Sequence, residues 1–174
     1  MSIKTRQKQA KPPLNATKLR DLALHYVGRY ATSTAKLSQY LQRKIRERGW
    51  DGPVADIDAM IANFVELGYV DDAGFAAARA RSLTQRGYGL RRVNEDLRAK
   101  GIDEADSADA RDHAAAESWQ AAERFARRKR IGPYAVDEAT PEMRQKQLQA
   151  FLRAGHGFDI ARKFVEAQSG RPPE

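Results

Sequence analysis

The chain has 174 residues, 31 Lys and Arg against 23 Asp and Glu, a net charge of +8 and no cysteine. That length suits one domain or an array of small units, and the missing cysteines exclude disulfides and thiolate metal sites. No apolar run approaches the roughly 18 residues of a membrane span and no signal-peptide core stands out, so a soluble protein of a reducing cytoplasm is expected.

Residues 1–14 carry Lys4, Arg6, Lys8 and Lys11 without an acid, contain Pro12-Pro13 and show no periodicity. They are expected to form a disordered basic arm. From about Asn15 the apolar residues recur at helical spacing. Leu19, Leu22, Ala23, Tyr26, Val27 and Tyr30 share one face. Ser33 is placed to cap a second helix that turns Leu37, Tyr40, Leu41 and Ile45 inward and most of Lys36, Arg43, Lys44, Arg46 and Arg48 outward. After the Asp51-Gly52-Pro53 turn, a third stripe holds Val54, Ile57, Met60, Ile61, Phe64 and Val65.

A second unit begins near Val70. Asp71 or Asp72 caps a helix with Phe75, Arg79 and Leu83, and the Gly87-Tyr88-Gly89 corner follows. The next helix carries Leu90, Val93 and Leu97, with Arg91, Arg92 and Arg98 on other faces. Asp103 is expected to cap an Ala- and Asp-rich helix from Glu104 to about Ala116, whose apolar face is thin. In the third unit, Trp119, Ala122, Phe125 and Ala126 precede the basic run Arg127 to Arg130. Thr140-Pro141 then opens a helix with Leu148, Phe151 and Leu152, and a last helix holds Phe158, Ile160, Ala161, Phe164 and Val165. No strand pattern emerges. The expectation is an all-α, elongated tandem array of three-helix, helix-turn-helix-like repeats: 15–69, 70–116 and 117–168, with a tail at 169–174.

Glycine followed by an apolar residue punctuates this pattern at Gly49-Trp50, Gly68-Tyr69, Gly87-Tyr88, Gly101-Ile102 and Gly157-Phe158. Glycine reaches the left-handed conformation that ends a helix, and the apolar residue can fold back on the last turn. Leu37-x3-Leu41 runs on to Gly49-Trp50, Val93-x3-Leu97 to Gly101-Ile102 and Leu148-x3-Leu152 to Gly155-His156, and the spacings from Gly49 to Gly101 and from Gly101 to Gly155 are similar. They fit a degenerate repeat, or three unrelated hairpins of like size.

The residues offer no catalytic constellation. His25, His113 and His156 lack metal-ligand spacing, Asp71-Asp72 suits a helix start better than acid–base work, and no phosphate loop or nucleophile elbow is present. The reading is therefore not an enzyme, with no cofactor and no metal. What the chain can do is bind. Its excess charge sits at its two ends, and 21 of 31 bases are Arg, whose fork suits carboxylates and phosphates. Three basic groups stand out: Lys36 to Arg48, Arg79 to Lys100, and Arg127 to Arg130. Stacked units would turn them into a positive stripe suited to an acidic partner or a nucleic-acid backbone. Each is equally read as a solvated face. A stand-alone helix-turn-helix DNA-binding protein is the alternative, although no helix gathers the side chains that read base edges.

The stretch Leu67-Gly68-Tyr69-Val70-Asp71-Asp72-Ala73-Gly74-Phe75-Ala76, then Arg86-Gly87-Tyr88-Gly89-Leu90-Arg91-Arg92-Val93, then Leu97-Arg98-Ala99-Lys100-Gly101-Ile102, resembles the central signature of the RecX family. Order, gaps and rare residues agree from Leu67 to Ile102, with looser likeness in the flanking units. Leu90 stands where that family usually has Pro, and His156-Gly157-Phe158 replaces its Gly-aromatic step. The resemblance implies a cytoplasmic, monomeric regulator. Such a protein binds the RecA recombinase and its filament on single-stranded DNA, touches DNA at most weakly, and restrains ATP hydrolysis, strand exchange and coprotease activity. Recombination, DNA repair and the SOS response would thereby be modulated. For the contact face the residues to expect are Arg79, Arg86, Tyr88, Arg91, Arg92, Arg98 and Lys100; Gly68, Asp71, Asp72, Phe75, Gly87, Gly89 and Gly101 are expected to serve the fold.

Overall fold

The structure, a computed structural model, describes residues 12–173; nearly all of the expected basic arm lies outside the described residues. Nine α-helices follow in order among the described residues: α1 (Ala16–Arg29), α2 (Thr34–Arg48), α3 (Ile57–Glu66), α4 (Asp72–Gln85), α5 (Leu90–Ala99), α6 (Ala108–Ala116), α7 (Ser118–Lys129), α8 (Pro141–Arg153) and α9 (Phe158–Glu166). A short 3-10 turn lies at Gly132–Tyr134. The all-α expectation holds there, since the sole β feature is an isolated parallel bridge between Leu14 and Trp50. The chain divides into two compact units, residues 1–71 and 72–174.

In the first unit each helix starts on a side-chain cap. Asn15, Ser33 and Asp56 accept hydrogen bonds from the amides of Lys18, Lys36 and Ala59 at 3.0, 3.3 and 2.9 Å, which satisfies donors that a helix cannot pair internally. Leu14, Leu19, Ala23, Leu37, Leu41, Ile61, Phe64 and Val70 close the core. Gly49 ends α2 as expected, but not in the expected conformation. Its φ of +79° and ψ of 170° are not those of a left-handed cap. Its carbonyl instead accepts the Leu14 amide at 3.0 Å, and Leu14 accepts the Asp51 amide at 2.7 Å. Trp50 is thus held in a bridge to Leu14, in the segment preceding α1, and packs against the core of this unit.

The second unit has two buried clusters. Ala76, Ala80, Leu83, Val93, Leu97, Ile102, Ala110 and Ala114 make one. The other joins Ala122, Phe125, Ala126, Ile131, Phe151, Ala154, Ala161, Phe164 and Val165. The thin face of α6 suffices because Ala110 and Ala114 pack with Ala76 and Ala80 of α4, where small side chains let the helices approach closely. This helix starts later than expected. Asp103 accepts the Asp106 amide at 2.8 Å and so caps a preceding turn, and α6 begins only at Ala108.

Five helix ends carry the paired hydrogen bonds of a Schellman stop. The residues after each stop reach back five positions: Tyr69 to Phe64, Tyr88 to Leu83, Ile102 to Leu97, Ile131 to Ala126 and His156 to Phe151, at 2.9–3.1 Å. Gly68, Gly87, Gly101 and Gly155 hold the left-handed position at φ of +72°, +79°, +73° and +91°. Arg130 holds the fifth at φ 54° and ψ 54°. Of the two glycines expected as stops here, Gly155 ends α8, and the expectation for Gly157 is corrected: at φ −67° it stands at the start of α9.

Candidate functional site

The richest meeting point in the second unit is the corner between α4 and α5. Its backbone is assembled by glycines. The amides of Gly89 and Arg91, at the start of α5, donate to the carbonyls of Ala154 and Gly155 at 2.9 and 3.1 Å. Two helix ends thus satisfy each other, the positive end of α5 against the negative end of α8. A Cβ at Gly89 would lie 2.3 Å from the Gly155 oxygen, and one at Gly87 would lie 2.9 Å from the Phe125 nitrogen. Both glycines are needed for closeness, and Gly87, at φ +79°, for its conformation as well.

Two arginines and a histidine from later in the chain close the far side of this corner. Arg124 of α7 donates to the Thr84 carbonyl at 3.4 Å and to Glu117 at 3.1 Å. Arg128 donates to the Arg86 carbonyl. His156 lies 3.1 Å from the Gly87 carbonyl through Nε2, so that nitrogen carries the proton. Three carbonyls at the end of α4 therefore meet side chains that complement its dipole. His156 is 2% exposed, and its ring contacts Phe125 and Phe151 at 5.4 and 5.3 Å. Burial pushes its pKa down to about 4; the Gly87 hydrogen bond opposes that shift and the Arg128 charge assists it.

Of the residues expected for the contact face, Arg86 and Tyr88 come together. The Tyr88 ring, half-buried against both clusters, has the Arg86 guanidinium 5.5 Å from its centre and that of Arg128 at 5.8 Å. The result is a tyrosine flanked by two cations. Arg91 and Arg98 are exposed and make no ion pair among the described residues.

Arg79, by contrast, is spoken for. Its guanidinium grips Asp96 of α5 with two bonds of 2.6 and 2.9 Å. The Arg79 contact holds the Asp96 carboxyl below its usual range, with Lys100 and Arg92 adding weaker pulls. Arg92 also pairs with Glu95 at 3.3 Å. Three of the seven expected contact residues thus surround one carboxylate, and Arg79 clamps α4 to α5. Among the residues expected to serve the fold, Gly68, Gly87 and Gly101 are left-handed stops, Gly89 starts α5, and Phe75 packs on the first cluster of the unit. Asp71 immediately precedes α4, and Asp72 is its first residue.

The sequence signals missed two members of the site. Asp96 is an acid within a basic helix, and its partner is set by how α4 and α5 pack. Arg128 was grouped with its basic neighbours, yet only it reaches Tyr88; Arg127 instead pairs with Glu123 at 2.8 Å, which the i,i+4 spacing could have disclosed.

Comparison with known proteins adds lineage to this geometry. Residues 71–110 match the family model described as RecX, second three-helix domain. A protein named Regulatory protein RecX from Myxococcus xanthus (strain DK1622) is 33% identical over 167 residues, covering 88% of this chain and 87% of its own. One of the same name from Mycobacterium sp. (strain JLS) is 32% identical over 135 residues, covering 76% and 73%. Among solved structures, RecX from Lactobacillus salivarius superposes with a TM-score of 0.63 at 20% identity, over 86% of this chain and 94% of that one, a likeness of fold.

Proposed function

The chain belongs to the RecX family of regulatory proteins, and from that premise we propose that it acts on RecA. In this reading it binds the recombinase and its filament on single-stranded DNA, restraining ATP hydrolysis, strand exchange and coprotease activity in the cytoplasm. Recombination, DNA repair and the SOS response are damped in consequence.

The 33% identity with the Myxococcus relative, over an alignment that covers 88% of the chain, carries the reading. The α4–α5 corner supports it physically. Arg86, Tyr88 and Arg128 form a cationic and aromatic cluster near the exposed Arg91 of α5, chemistry suited to carboxylates or phosphates on a partner. A regulator of this kind performs no reaction. It shifts the filament by binding one of its states more tightly than another. The three-helix division 15–69, 70–116 and 117–168 belongs to the same proposal, each triplet offering its own cations.

ATP turnover by RecA on single-stranded DNA, measured with increasing amounts of the protein, is the test. Turnover should fall, and Arg86→Ala combined with Arg91→Ala should raise the concentration needed by about tenfold. Turnover unchanged at equimolar protein overturns the reading. Wild-type inhibition that the double variant retains in full removes the α4–α5 corner from it.

A further inference from the structure

The first unit holds an aromatic surface to which the RecA reading assigns no ligand of its own. Between α1 and α2 lies an open groove of about 580 Å³ lined by tyrosines and cations. Tyr26 of α1 stacks on Tyr40 of α2, with ring centres 4.1 Å apart and planes 16° from parallel. Tyr30, just beyond α1, leans on Tyr26 at 5.4 Å and is 52% exposed. Cations sit over the same rings: Arg29 lies 5.7 Å from the Tyr30 centre, and Arg43 and Lys44 lie 5.6 and 5.7 Å from that of Tyr40. Arg43 and Lys44 share one acid, Glu47, at 3.5 and 2.7 Å, so the four charges leave the patch net positive.

We propose that this groove binds single-stranded nucleic acid, with an unpaired base stacked on Tyr30 and flanking phosphates held by Arg29 and Arg43. Charge complementarity favours a polyanion. The aromatic faces favour one whose bases are unstacked and free to lie flat. A duplex buries its bases against one another and offers such a surface only its backbone. The already stacked Tyr26 and Tyr40 form a rigid floor, so that Tyr30 need not be ordered by the ligand. Geometry supports one base at this step, which makes the site a weak, sequence-tolerant grip rather than a reader.

Fluorescence anisotropy of a labelled oligothymidylate with the whole protein, in the absence of RecA, tests the idea apart from the regulatory reading. The wild type should bind the single strand more tightly than a duplex of equal length, and more tightly than an abasic oligomer of equal charge. Tyr30→Ala should weaken binding by roughly tenfold, within the range that one stacked base contributes, while Tyr30→Phe keeps it. Arg43→Ala should lower the slope of log affinity against log salt by about 0.7. Circular dichroism of the wild-type shape establishes that these exposed substitutions leave the fold intact. Equal affinity for the abasic oligomer, or an unchanged affinity in Tyr30→Ala, overturns the proposal. So does an acidic peptide that displaces the oligomer at equal concentration, which would assign the groove to a protein ligand.

Discussion

Gly89→Ala isolates steric closeness from backbone conformation. Gly89 has φ −82° and ψ 170°, which alanine adopts without strain. The added methyl would sit 2.3 Å from the Gly155 oxygen, 2.4 Å from its carbonyl carbon and 2.6 Å from the His156 nitrogen. All three are backbone atoms, so no rotamer can relieve the clash. The end of α8 must retreat by about 1 Å to restore ordinary contact. The hydrogen bonds from Gly89 and Arg91, now 2.9 and 3.1 Å, would then stretch beyond useful length. Two weakened backbone bonds at about 1 kcal/mol each, with some repacking around His156, give a loss of about 3 kcal/mol. For the unit spanning 72–174 that is a fall in melting temperature of roughly 10–20 °C, read by circular dichroism or calorimetry. Gly68→Ala is the counterpart. Its φ is +72° with nothing within 4 Å of the added Cβ, so only the left-handed conformation is penalised, by about 1 kcal/mol. If Gly89→Ala melts with the parent, or if Gly68→Ala is the costlier change, the argument from close approach is wrong.

Three further outcomes follow from the same geometry. His156 has its pKa lowered from 6.5 to about 4 in the fold, so the unfolded chain binds the extra proton first; stability should be full above pH 6.5 and decline by about 3 kcal/mol as pH falls to about 4, and denaturant midpoints for His156→Gln should lose most of that dependence. Asp96→Ala should cost about 1 kcal/mol at pH 7, a value discounted for partial exposure; because the folded carboxyl titrates below 3.8, the difference between variant and parent in urea should shrink as pH falls through and below that value. Arg130→Gly removes a non-glycine residue from φ 54°, and should stabilise the chain by about 0.5–1 kcal/mol in thermal melts.

The helices were legible because their apolar stripes and caps are local: Ser33, Thr140 and the Phe64 or Phe151 turns can be recognised without knowing what they pack against. Gly68, Gly87 and Gly101 were legible for the same reason. Gly155-His156-Gly157-Phe158 offers two glycines two residues apart: the Leu148–Leu152 pair points to the first as a stop, and the aromatic at Phe158 points to the second. The fold decides for the first because Gly155 accepts the Arg91 amide and its Cβ position lies 2.4 Å from the Arg92 nitrogen. Arg130 gave no signal as a stop, since arginine seldom takes that conformation. The basic character of the α4–α5 region was visible, but its partition was not. Whether Arg79 faces a partner or Asp96 depends on a helix crossing that lies 17 residues away in sequence.

The carbonyls that end α4 are received by Arg124, Arg128 and His156, the last lying 69 residues beyond its partner. The stretch that matches the family model, residues 71–110, therefore borrows its finished form from a distant part of the same polypeptide. Excised as a peptide, it would keep every recognisable letter while leaving Arg86 and Tyr88 beside bare oxygens and a lost cation. Heredity can be read from that segment by itself; the finished corner cannot.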